Sequence, residues 1–158
     1  MTPEPTSAQR YDGQSGAAPS AAAGPVSMSR GECLRLLGSV SVGRISFSDR
    51  ALPAVVPVTF ALDADRLVVR TAEDSRIARV VPGTVVAFEV DDVEPALHCG
   101  WSVTVLGRAA SVQDPDEAAR LRSLVVPWAP GPRDHVITVP LTVVEGRRIL
   151  PRPLGSRT

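Results

Sequence analysis

The stretch VVRTAEDSRIARVV, Val68 to Val81, carries an apolar run into Arg70-Thr71 and then sets Ser75-Arg76 where a helix should begin. Two guanidiniums and two hydroxyls thus converge on one strand end and one helix start. Such side chains bind anions: hydroxyls donate, and arginine adds charge-assisted, fork-shaped hydrogen bonds. A helix start adds unpaired N–H groups and the positive end of its dipole. The arrangement suits a phosphate monoester. The competing reading is structural: Asp74 caps the helix, and Arg70 and Arg76 are solvated or pair with Glu73. Neither a Walker loop nor a dinucleotide-binding glycine fingerprint accompanies the segment.

Other chemistry is sparse. The 17 basic residues balance 17 acidic ones, so no overall field draws the chain to nucleic acid or membrane. All 17 basic residues are arginine, a pattern expected from GC-rich codon usage. Cys33 and Cys99 make no disulfide framework. His98 and His135 are too few for a metal site, and neighbours such as His98-Cys99 point to opposite faces of a strand. No apolar run reaches transmembrane length, and the first residues lack a signal peptide's basic start and apolar core. The expectation is a soluble, cytoplasmic protein with no metal.

These residues need a scaffold. The chain has 158 residues, enough for one domain with a real core. Apolar residues make up 44% but aromatics only 4%, so Val, Leu, Ile and Ala must fill that core, a bias toward strands. Residues 1–27, rich in Pro, Ala, Gly and Ser, read as a disordered tail. The folded domain is expected over 28–150, with a loose tail at 151–158. Ser29 and Glu32 form a capping box for a short helix that Gly38 ends. Strands are predicted at 40–47, 53–63, 66–71, 84–92, 101–112 and 135–149. Pro57 marks an edge or bulge in the second. A helix follows at about 75–81. Asp114, Pro115 and Glu117 open a third helix. Strands joined mostly by tight turns imply antiparallel pairing, and the expected fold is mainly β: a six-stranded antiparallel barrel with short helices.

The ordered succession LLGSVSVGRISFSDRALPAVVPVTF, DRLVVRTAEDSRIA, VAFEVDD, GWSVTVLGRA and PWAPGPRDH resembles the pyridoxamine 5'-phosphate oxidase-like flavin-binding split barrels. Within them it is most similar to small actinobacterial proteins related to the nitroimidazole-resistance proteins. The resemblance spans about 29–150. It implies FMN held at a homodimer interface. It places Arg70, Thr71, Ser75 and Arg76 on the phosphate and Pro57-Val58-Thr59-Phe60 along the flavin ring. Phe88, Glu89 and Val90 fall on the neighbouring strand. Trp101 and Ser102 fall on a loop near the cofactor, reaching it from the second subunit. The chain departs from relatives that carry lysine at Arg76 and tyrosine at Phe60, and DHVITV lacks the aromatic and arginine found after the histidine elsewhere.

Several residues keep two readings. Trp101 is a core or dimer contact, or a flavin contact. Trp128, in a Pro-rich loop, is a lid over the cofactor or a hydrophobic plug. His135 is a paired surface residue or a proton donor. Glu89 is expected to pair with Arg108, and Cys33 to be a core residue. No catalytic dyad is evident, as expected where a flavin carries the redox chemistry. The functional expectation is an FMN-dependent oxidoreductase passing electrons from a reduced nicotinamide or similar donor to a small acceptor. The alternatives are a deazaflavin-dependent reductase, or a non-enzymatic barrel that binds flavin or haem.

Overall fold

A computed structural model describes residues 24–151. In chain order the elements are β1 (Val26–Ser27), α1 (Arg30–Leu37), β2 (Val42–Asp49), β3 (Leu52–Asp63), β4 (Arg66–Thr71) and α2 (Arg76–Val80). Then come β5 (Val85–Glu94), a 3₁₀ turn at Pro95–Leu97, β6 (Cys99–Arg108), β7 (Ala110–Ser111), α3 (Pro115–Leu124), β8 (His135–Pro140) and β9 (Val143–Ile149). The strands form one sheet in the order β1-β9-β6-β5-β2-β3-β4-β8-β7. Every pairing is antiparallel. The sheet curls without closing, which is the split barrel expected.

The strand count exceeds six for local reasons. The predicted strand at 135–149 divides at Leu141-Thr142 into β8, which pairs with β4, and β9, which pairs with β6. The predicted 101–112 strand divides at Ala109, whose N–H turns aside to Thr84 O. Val26 and Ser27, placed in the tail by composition, pair with Arg148 and Arg147 as β1. Most of both expected tails, residues 1–23 and 152–158, lies outside the described residues.

Local sequence explains the elements. Ser29 Oγ accepts from Glu32 N at 3.3 Å and Glu32 Oε2 accepts from Ser29 N at 3.0 Å, the capping box of α1. These bonds to Ser29 hold the Glu32 carboxyl below its usual range. Asp114 caps α3 with Pro115 at its first turn. The β2–β3 hairpin turns through Arg50 and Ala51, both at positive φ, in the geometry that matches strand twist.

The core lies inside the curled sheet. Leu37, Ile45, Leu67, Val69, Phe88, Val103 and Val105 are fully buried there, and Cys33 joins them as expected. Burial pushes the Cys33 thiol up. A second cluster, Val68, Val136, Ala118, Leu121 and Val125, docks α3 on the opposite face of β4 and β8. No helix among the described residues is long and apolar enough to cross a membrane.

Candidate functional site

The site opens where β3 loses a neighbour. β4 pairs with β3 only from Phe60 to Asp63, so the Pro57 stretch is an edge on that side, where a residue without an N–H is tolerated. A cleft of about 440 Å³ fills the gap, within the usual range for small-molecule sites, roughly 300–1,000 Å³. One wall is apolar: Val42, Val56, Pro57 and Val58. Arg70, Thr71, Ser75 and Arg76 form the polar end, and Trp128 and Arg133 from the α3–β8 loop complete the rim.

The polar end is tightly wired. Thr71 is buried, and its Oγ1 lies 2.8 Å from Ser75 Oγ. Ser75, not Asp74, caps α2, its Oγ accepting from Ala78 N at 3.1 Å. Arg70 does not pair with Glu73. Its Nε donates to Arg133 O at 2.9 Å, and its Nη1 donates to Arg122 O and Val125 O, each at 3.1 Å. Its Nη2 lies 3.9 Å from Asp134 Oδ1. Arg76 likewise avoids Glu73: its Nε donates to Asp49 Oδ2 at 2.7 Å, and its guanidinium stands 5.6 Å over the Phe47 ring. Arg133 Nε is buried and has no hydrogen-bond partner among the described residues.

The thirteen residues that the resemblance assigned to the cofactor fall into three groups. Pro57, Val58, Thr59, Arg70, Thr71, Ser75 and Arg76 all line the cleft. Phe60, Phe88 and Val90 point into the core, where Phe60 and Phe88 meet edge to face at 4.8 Å between centroids. Glu89, Trp101 and Ser102 line a separate, smaller hollow of about 220 Å³ together with Asp91, Cys99 and Arg147. One protomer therefore does not bring Trp101 and Ser102 to the cleft.

Glu89 pairs with Arg44, not Arg108, with Nη1 to Oε2 at 3.2 Å. The register explains this: Arg44 faces Glu89 directly across β2 and β5, whereas Arg108 lies opposite Val85 and donates to Gly83 O. Hydrogen bonds to Asp91, then to Glu89, raise the Arg44 guanidinium above its usual value. His135 is paired, its Nε2 2.9 Å from Ser111 Oγ. Trp128 is 75% exposed at the cleft mouth, so within a protomer it plugs nothing. Arg133 escaped the sequence reading, because only the fold brings it to Arg70, 63 positions earlier in the chain. Among the described residues no cluster of three His, Cys, Asp or Glu side chains could hold a metal ion.

Comparison with known proteins places these observations in a wider group. The model of the family described as pyridoxamine 5'-phosphate oxidase matches residues 29–148. An uncharacterised protein of Mycobacterium tuberculosis is 38% identical over 139 residues, covering 85% of this chain and 91% of that protein. The solved structure of an FAD binding protein from Mycobacterium smegmatis is similar at 29% identity and a TM-score of 0.62, covering 79% of this chain and 98% of the other. A putative pyridoxamine 5'-phosphate oxidase from Corynebacterium glutamicum is similar at 28% identity and a TM-score of 0.70, covering 84% and 96%.

Proposed function

The chain belongs to the pyridoxamine 5'-phosphate oxidase family, and from that premise we propose that it is a flavin-binding oxidoreductase that takes FMN in the β3–β4 cleft. It passes electrons from a reduced nicotinamide or similar donor to a small acceptor. The observation that carries this reading is the cleft itself, which gathers seven of the residues the resemblance assigned to the cofactor.

The residues fit an amphipathic phosphate ester. Hydroxyls and guanidiniums sit at one end, and Val42, Val56, Pro57 and Val58 offer a flat apolar wall beyond them. Ser75 Oγ accepts from Ala78 N, so its own proton is free to turn toward Thr71 or a phosphate oxygen. The asymmetry orients the ligand, anion at the strand end and ring along β3. A bound flavin supplies hydride or electron transfer at its ring. The protein's task is to hold that ring along β3, beside the apolar wall of Val42, Val56, Pro57 and Val58.

We further propose a homodimer, acting in the cytoplasm, in which the partner's Glu89, Trp101 and Ser102 complete the cleft. Their distance from the cleft within one protomer supports this division of labour. Two free thiols suit a reducing compartment. A second reading keeps the site and changes the cofactor: the FAD binding neighbour favours a flavin with a longer, nucleotide tail. The test is the visible spectrum of the purified protein titrated with FMN, FAD and a deazaflavin, followed by rapid mixing with reduced nicotinamide. Saturable binding of FMN and bleaching of its blue absorbance are expected. Protein that neither retains nor binds any of the three overturns the proposal.

A further inference from the structure

We propose that Trp128 is the stacking residue for the electron acceptor, an uncharged planar ring that enters through a second hollow beside the α1–β2 loop. The inference rests on the reading of the cleft as a flavin site and names the class of acceptor that site uses.

Trp128 borders two spaces. One is the cleft, and the other is a hollow of about 470 Å³ lined by Gly38, Ser39, Val40, Ser41 and Val42. Val42 also borders both, so the two spaces meet along one valine and one indole. Among the described residues the three phenylalanines are buried and Trp101 is half-buried, whereas Trp128 is 75% exposed. Its ring is thus available to a ligand from either space. The loop that carries it is fixed beforehand. Arg70 donates to Arg122 O and Val125 O before Trp128 and to Arg133 O after it, so one guanidinium ties both ends. Pro127, Pro130 and Pro132 lock φ at three positions between those ties. Little ordering remains to be done when a ligand arrives, which favours binding.

The lining of the second hollow selects the ligand. Among the described residues no ionisable side chain borders it. Ser39 Oγ already donates to Leu36 O. A dinucleotide donor would bring phosphates to a surface that offers them no cation, at a cost in desolvation. An uncharged quinone loses nothing there and gains a ring contact with Trp128. The exchange balances with the donor already named: the reduced nicotinamide gives up a hydride, and the quinone takes two electrons and two protons, the second proton from solvent.

The test uses FMN-loaded protein and 2,3-dimethyl-1,4-naphthoquinone, whose substituted ring resists addition by the free thiols. Its dissociation constant is measured by calorimetry without any donor, and its KM is measured with reduced nicotinamide. Trp128→Ala is expected to weaken quinone binding and raise its KM by about tenfold, as for loss of one aromatic pair. Trp128→Phe should recover most of the loss. The dissociation constant of FMN and the KM of reduced nicotinamide should hold. If the wild type binds no flavin but binds the quinone only while an aromatic ring stands at 128, the ring subsite stands and the flavin reading falls. The assignment is overturned if the wild type binds no quinone, or if Trp128→Ala binds it equally well. It is likewise overturned if the loss falls on FMN or on the nicotinamide, which would give Trp128 to the cofactor or to the donor.

Discussion

Gly43 shows how closely single atoms control the wall of this cleft. It sits on β2 opposite Val58, and a Cβ built there would overlap Phe88 Cζ and come within 2.9 Å of Glu89 O. Phe88 cannot retreat freely, because it packs against Phe60 at 4.8 Å in a fully buried position. Gly43→Ala should therefore destabilise by about 1–3 kcal/mol, the usual cost of overpacking. Gly31, on α1 with nothing within 4 Å, is the control. Gly31→Ala should raise stability by about 0.4–1 kcal/mol through the unfolded chain. Urea denaturation of both variants checks the pair, with a lowered midpoint expected for Gly43→Ala only. At this scale the sequence was legible where chemistry is local, as in the hydroxyls and guanidiniums of 70–76. It was silent on Arg133, whose neighbours are set by loop closure, and on which partner Glu89 takes, which depends on register.

The elements that carry the site are fastened by charge. Asp63 ends β3, Arg66 begins β4, and Glu117 and Arg120 stand on α3. Arg120 donates to both Asp63 oxygens, at 3.0 and 2.9 Å, and to Glu117, while Arg66 bridges Asp63 and Glu117. These bonds, from Arg120 first and then Arg66, hold the Asp63 carboxyl well below its usual range and lower Glu117 to about 2. A carboxyl depressed in the folded state contributes stability above its unfolded value, and that stability fades as pH falls through the folded value. The unfolded references are 3.8 and 4.5, so the contribution is whole at pH 7 and declines below about pH 4.5. Arg120→Ala should thus melt below wild type at pH 7, and the gap should narrow steadily toward pH 2. A gap that does not change with pH would remove the network from α3 docking. The starts of α1 and α3 were legible from their caps, while the cap of α2 was read one residue early, at Asp74 instead of Ser75; the hairpins were legible from short polar turns between apolar runs. The splits at Ala109 and Leu141 were missed although Pro140 closes β8 and Gly107 stands two residues before Ala109: the apolar alternation runs on through both points, and each strand ends because its partner changes.

At the scale of the whole molecule, one face of the sheet asks for a partner. Val55, Ser46, Ala87, Leu106 and Val143 stand opposite one another in register across β3, β2, β5, β6 and β9. They form a single cross-strand row on the outer face. Val55 is 62% exposed, Leu106 40% and Val143 41%. The next row, Pro57, Arg44, Glu89, Thr104 and Glu145, leads from the cleft edge into the charged pairs beside the second hollow. A flat apolar band flanked by charge is the make-up of a protein interface. In the proposed dimer this face buries the apolar row, and the partner's hollow comes to the open edge of β3. Leu106→Glu sets a carboxylate within the row, between Ala87 and Val143, at a position absent from the cleft lining. Burying that charge unpaired is strongly unfavourable. Sedimentation should show a dimer for wild type and a monomer for the variant, with the circular dichroism of the sheet retained. FMN affinity should fall with dissociation, because each proposed site loses the partner's Glu89, Trp101 and Ser102. A monomeric variant that binds FMN as tightly as wild type would confine the site to one protomer, and a wild type that sediments as a monomer would remove the partner from the reading altogether.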